Sequence, residues 1–336
     1  MKKIAVLCDS AADISKEAAK ALDIHVIRMP LMVEDKTYIE EVDISQEDII
    51  RMLKEGKTIK TTQPPIGEVT ALWEQLLTQY DEIFYLPLSR ELSGTCENAI
   101  AASKEYDGKV TVVNSTFACY PIILMLEQAR KLFQQGYSCK QVKEMFEKQG
   151  ELYAILIPEN LTTLKNGGRI SPAAAALAGL LKIHPLLTIE EGRIDVYDKV
   201  RTLNKAYKEG LAAVMKGIEN AEDYDWMIID ADNRSASDAL KGMMEEALGV
   251  PVQQTTFRSI IMSHTGVGTI AFGRIRKVVP QEAPQVQHKH DKEGNAPSFF
   301  NRPASYKKQL PPSFHSRSTA NAKEKILLPD SVLPPP

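Results

Sequence analysis

An α/β protein of two domains is what this 336-residue chain predicts, the first with a mainly parallel sheet and the second with a mixed or antiparallel sheet. Three observations carry that prediction. Up to about residue 150, short apolar runs alternate with amphipathic stretches, the pattern of strands joined by helical crossovers. From about residue 151, strand-like runs meet across a short glycine-containing turn, which pairs them antiparallel. Beyond Pro280 both patterns stop, and nine of the nineteen prolines fall there. The expected organisation is an N-terminal domain over 1–150, a C-terminal domain over 151–280 and a disordered tail over 281–336. A tail without core-forming period cannot offset its ordering entropy, and its irregular mixture resembles a read-through or frame-shifted end.

The elements follow in order. "KIAVLCD" reads as a first strand, Ser15 to Leu22 as a short helix and "IHVIRM" as a second strand. "LMVEDKTYIE" alternates around Glu34-Asp35-Lys36 as a hairpin does. Ser45 with Asp48 three residues on makes a capping box for a helix carrying Ile49, Met52 and Leu53. "KTTQPP" leads to a helix whose Val69, Leu72, Leu76 and Leu77 keep helical spacing. A strand over 83–88, a helix after Ser93, a strand "KVTVVNS" and helices near 120–135 and 138–149 complete the first domain. In the second, "LYAILI" is a strand, "NGGR" a turn, and "HPLLTI-EEGR-IDVYDKVR" a strand pair. A helix near 203–219, strand "WMIIDA", a helix near 235–248 and strand "VQQTTF" follow.

Net charge of -3 and the lack of a Lys/Arg-rich stretch give no electrostatic case for nucleic acid. No apolar run approaches the roughly twenty residues of a membrane span, and the "MKKIAVLCDSAAD" start ends its apolar run at Asp9, unlike a signal peptide. The four scattered cysteines (Cys8, Cys96, Cys119, Cys139) form no C-x-x-C pair, which disfavours zinc or redox chemistry and fits buried thiols in a reducing cytoplasm.

Several junctions could carry chemistry. In "CDSAAD", Asp9 and Asp13 could hold a metal or share a proton, or could cap a strand–helix junction. Thr61 and Thr62 of "KTTQPP" sit before prolines that end an extended stretch, as ligand donors or as part of a rigid turn. In "ELSGT", Ser93 or Thr95 could cap a helix or hold an anion with the free N–H groups there, and Gly94 permits close backbone approach. "LTTLKNGGRIS" matches no Walker A pattern, no G-x-G-x-x-G opens a helix, and no G-x-S-x-G exists. Arg169 and the two cations of "KVRT", Lys199 and Arg201, read alone as a solvated surface, and His264 of "SHTGVGT" as structural or functional.

Taken in order and spacing, "DSAAD", "KTTQP", "LSGT", "LKNGGRIS", "KVRT" and "HTGVG" resemble the DegV family over roughly residues 3 to 274. The resemblance implies a fatty-acid-binding protein, the lipid-binding subunit of bacterial fatty acid kinase, with one long-chain fatty acid buried between two α/β domains. It implies that Thr61 and Ser93 hold the carboxylate, with His264 near that end and Thr62, Gly94 and Thr95 as further pocket residues. A separate kinase subunit would phosphorylate the bound acid, docking on Arg169 and Arg201. No metal, no cofactor beyond the lipid and no chemistry of its own are expected, and transient membrane contact stays open. The alternatives are a small-molecule kinase or transferase, or a regulatory protein binding another carboxylate metabolite.

Three departures from the family pattern stand out. Val267 replaces a proline beside His264, and Pro121-Ile122-Ile123 replaces a G-x-G, which would narrow or reroute the tunnel. The terminal segment after Ile270 runs through "GRIRKVVPQ" into the proline-rich tail, so its last element is expected to be damaged.

Overall fold

The computed structural model describes residues 2–179 and 182–281; the tail expected to be disordered lies, Gln281 apart, outside them. Thirteen strands can be named among the described residues. Before residue 113 come β1 (Ile4–Asp9), β2 (His25–Ile27), β3 (Pro30–Val33), β4 (Lys36–Ile39), β5 (Ile59–Thr61), β6 (Glu82–Leu86) and β7 (Val110–Val112). After residue 151 come β8 (Leu152–Ile157), β9 (His184–Glu190), β10 (Arg193–Val200), β11 (Tyr224–Asp230), β12 (Val252–Thr256) and β13 (Ile270–Arg276).

β1, β2, β6 and β7 form a parallel sheet in the order β2-β1-β6-β7. β1 and β6 are almost wholly buried, which is why they read as unbroken apolar runs. The second sheet has the order β10-β9-β8-β13-β11-β12, antiparallel throughout except for the parallel β11–β12 pair. A small antiparallel sheet, β4-β3-β5, carries the predicted hairpin. The fold is thus two α/β lobes, one with a parallel and one with a mixed sheet. One apolar core runs through both, from Val6 and Phe84 to Leu156, Ile189 and Ile229.

The Ser45–Asp48 capping box is present at the helix Gln46–Lys54. Helices also occupy Ile66–Leu77, Thr95–Ser103, Pro121–Gln134, Cys139–Gln149, Leu203–Met215 and Arg234–Leu248, where their spacing places them. Three elements depart from expectation. The "NGGR" turn is the end of a helix, Leu161–Gly167, capped at its start by the Asn160 side chain, which accepts from the Thr162 N–H at 2.8 Å. A second short helix, Ser259–Thr265, carries His264. Both are seven residues long, less than the window in which helical periodicity declares itself. The terminal segment, expected to be damaged, is whole over Ile270–Arg276: β13 sits inside the sheet and pairs with β8 and β11 along its length. Its short reading "IAFGRIR" hides that position, because a glycine and two arginines break the apolar run.

Candidate functional site

β5 leaves the small sheet at Thr61, which pairs with Leu31 of β3, and the chain then turns at Thr62, Gln63 and the prolines before the helix Ile66–Leu77. Ser93 lies in a tight turn built on Ser89, whose carbonyl accepts from the N–H groups of Leu92 and Ser93 at 3.0 and 3.1 Å. The β9–β10 hairpin reaches this turn: the Ser89 hydroxyl donates to the Gly192 carbonyl at 3.2 Å, and Arg193 pairs with Glu91 at 2.9 Å. The helix Ser259–Thr265 packs against β5. Thr61, Thr62, Ser93, Arg169 and His264 thus meet on the wall of one cavity.

That cavity and its mouth together enclose about 740 Å³ of atom-free space, open solvent at the mouth included. Its polar groups gather where Thr62, Gln63 and Arg169 are exposed. The rest of the wall is mostly apolar, with Leu88, Leu156, Leu164, Ile189 and Ile260 among its members, and the buried Thr265 adds one further hydroxyl. A second, almost wholly apolar chamber of about 340 Å³ shares Ala118, Cys119, Ile189 and Phe257 with the first. It lies over the middle of the mixed sheet, where Ala154, Ala271 and Gly273 of neighbouring strands leave a trough of small side chains between Leu152 and Met227.

The two positions expected to crowd the tunnel line different spaces. Pro121 lines the second chamber, whereas Ile123 lines a different crevice together with Tyr120 and Arg234. Val267 packs, partly buried, against the main core.

At the polar end Thr61 Oγ1 lies 2.7 Å from His264 Nε2. The other ring nitrogen, Nδ1, is buried without a hydrogen-bond partner, and it stands 2.7 Å from where a Cβ on Gly167 would be. Only a glycine lets that helix end against the imidazole. Burial, and then the nearby Arg169 charge, pull His264 down from 6.5 to about 4. The ring is therefore neutral at pH 7. With its proton on Nε2 it donates to the Thr61 oxygen and frees the Thr61 O–H to donate into the cavity.

Ser93 Oγ lies 2.9 Å from Thr95 Oγ1 and accepts from the Thr95 N–H at 3.3 Å, so the hydroxyl that lines the cavity also tethers the first turn of the helix Thr95–Ser103. Thr95 is itself buried behind it. Arg201 is exposed in the bend after β10, away from both chambers, while Arg169 is both exposed and part of the cavity wall. Residues not singled out by sequence are Gln63, Thr265 and the apolar wall. Gln63 belongs to the "KTTQPP" motif already noted, but wall residues carry no local signal.

Asp9 caps the turn after β1. It accepts from Ala11 N–H at 3.1 Å and from Leu88 N–H at 2.8 Å, and burial raises it to about 6. Asp13 accepts from the Arg258 N–H at 2.8 Å. This is junction chemistry, and among the described residues no three His, Cys, Asp or Glu side chains are grouped to hold a metal ion. All four cysteines are free and buried.

The depressed His264 predicts a pH effect. The unfolded chain takes up a proton between pH 6.5 and about 4 that the folded imidazole refuses. Stability is therefore full above pH 6.5 and falls through that window, by on the order of 3 kcal/mol. Asp9 works the other way, since its folded form holds a proton that the unfolded carboxylate has lost, so its stabilising effect fades as pH rises through about 6. Chemical denaturation of wild type and His264→Gln from pH 4 to 8 separates the two. The difference between the curves should shift toward the variant at low pH; a flat difference would mean an imidazole that titrates normally.

The fold and site define a class: a two-lobed α/β protein with a buried apolar cavity whose mouth carries hydroxyls, an imidazole and a guanidinium. The family model described as "Uncharacterised protein, DegV family" matches residues 3–277, and the chain belongs to the DegV family. It is 31% identical over 281 residues to the DegV domain-containing protein SA1258 of Staphylococcus aureus, covering 82% of this chain and 100% of that one. Among solved structures it is similar to a fatty-acid-binding DegV family protein from Thermus thermophilus (TM-score 0.72, 27% identity, 82% of this chain and 100% of that one). It is likewise similar to DegV, a fatty acid binding protein from Bacillus subtilis (TM-score 0.70, 28% identity, the same coverage).

Proposed function

We propose that this protein binds one long-chain fatty acid, carboxylate at the mouth and acyl chain through both chambers, and presents the carboxylate to a separate kinase subunit. The observation that carries this reading is the polarity of the cavity: donors where Thr62, Gln63 and Arg169 are exposed, and a wall otherwise mostly apolar. A polar metabolite of that length would leave its own groups unpaired against Leu, Ile and Phe. Burying about fourteen methylenes at about 0.8 kcal/mol each offers on the order of 11 kcal/mol before costs. A charge-assisted hydrogen bond to the head contributes only about 1.5–3 kcal/mol. The tail supplies affinity, and Thr61, Ser93 and His264 fix where the carboxylate sits.

In this reading lobes 1–150 and 151–280 act as two domains that enclose the chain. The partner transfers a phosphoryl group from a nucleoside triphosphate to a carboxylate oxygen, giving acyl phosphate and diphosphate nucleotide. Arg201 serves docking, and Arg169, exposed and on the cavity wall, serves both partner and head group in this reading.

Ser93→Ala tests the assignment. Fatty acid should still bind, weakened by at most about 1.5–3 kcal/mol. Acyl phosphate turnover with the partner should fall further, because a reacting group misplaced by about 1 Å can cost on the order of a hundredfold. Lower stability of about 1 kcal/mol with normal turnover per folded molecule would make Ser93 a helix-terminus residue and nothing more.

A further inference from the structure

Gly94 has φ -68°, ordinary right-handed backbone that any residue adopts, so conformation does not explain the glycine in "LSGT". Space does. A Cβ there would stand 2.9 Å from Gln63 Oε1. The Gln63 carboxamide thus fills the place of the missing side chain, and Asn98, one turn into the helix Thr95–Ser103, donates from Nδ2 to the same oxygen at 3.1 Å. Two segments 31 residues apart are locked together at the cavity mouth, since Gln63 lines the cavity beside Thr61, Thr62 and Ser93. With its oxygen turned toward Asn98, the carboxamide keeps both Nε2 hydrogens as unused donors.

The geometry points to Gln63 as a positioning residue that selects an ionised head group, its amide N–H donating to the carboxylate while Asn98 and Gly94 set the direction of that donor. This rests on the fatty-acid reading above and deepens it. A carboxylate only accepts and carries full charge, so an oriented amide donor favours it over the alcohol of the same chain, whose oxygen is neutral.

Affinities for hexadecanoate and hexadecanol, measured at pH 7.5 on the full chain, test it. Gln63→Met keeps the length of the side chain and removes the donors. It should weaken hexadecanoate by about tenfold to a hundredfold and leave hexadecanol nearly unchanged. Gly94→Ala, which pushes the carboxamide out of its seat, should produce the same selective loss with the glutamine intact. Equal loss of both ligands would mean that Gln63 only shapes the mouth and would overturn the inference, as would unchanged selectivity in both variants. Wild-type protein that binds neither ligand would instead remove the fatty-acid reading on which the inference stands.

Discussion

Ala118→Leu should cut the affinity for an eighteen-carbon fatty acid by more than a thousandfold while leaving a ten-carbon acid almost untouched. Ala118 is one of four residues common to both chambers, and it is buried. In the fatty-acid reading the acyl chain passes this shared wall as a neck, and extending the Ala118 side chain closes it. If about six methylenes lie beyond that neck, their loss at about 0.8 kcal/mol each is about 5 kcal/mol, over three factors of ten. The added carbons also crowd a packed wall, at a typical cost of 1–3 kcal/mol in stability. The ten-carbon acid serves as the control, because general damage would weaken both ligands. Isothermal titration of the two acids against wild type and variant gives the answer. Parallel loss would mean that the chambers are not one continuous path.

Arg258→Ala should cost about 3–5 kcal/mol of stability and lower fatty acid affinity as well. Arg258 joins the lobes: its guanidinium meets Glu40 at 3.3 Å and also pairs with Glu41, which Arg28 meets at 2.9 Å. The Glu40 side chain is only 1% exposed, so removing Arg258 strands much of a buried charge, with Arg28 at 4.0 Å as its remaining cation. Ser259 reinforces the junction, its hydroxyl donating to Glu40 at 2.8 Å. The helix that starts there carries Ile260, Ile261 and His264 to the cavity wall, which is why a change outside the cavity reaches the ligand. Adding Glu40→Gln to Arg258→Ala should recover part of the loss, since the stranded charge is then gone. A double variant as unstable as the sum of the singles would make the two residues independent.

How much of this was legible in sequence depended on the length of the signal. Helices of nine residues or more, such as Gln46–Lys54 and Arg234–Leu248, show their period within one window, and the first its capping box too. The hairpins announced themselves by alternation around Glu34-Asp35 and by the Glu191-Gly192 turn, both of whose residues adopt positive φ. Leu161–Gly167 and Ser259–Thr265 are too short for periodicity, and β13 is interrupted by Gly273 and Arg274. The polar end of the site was readable because hydroxyls, glycine and histidine cluster in short motifs. The apolar end was not, because Leu156, Ile189, Phe257 and Ala271 come from four separate segments and look like any core residue. Pro121 and Ile123 show the limit well: two positions apart in sequence, they face different spaces.

Mass spectrometry of the protein purified under native conditions tests the central claim most directly. The account predicts one long-chain fatty acid per chain, released on denaturation, with little below about twelve carbons because short chains forfeit about 0.8 kcal/mol per missing methylene. Protein that carries a polar metabolite, or that stays empty and takes up no fatty acid when one is supplied, would contradict it.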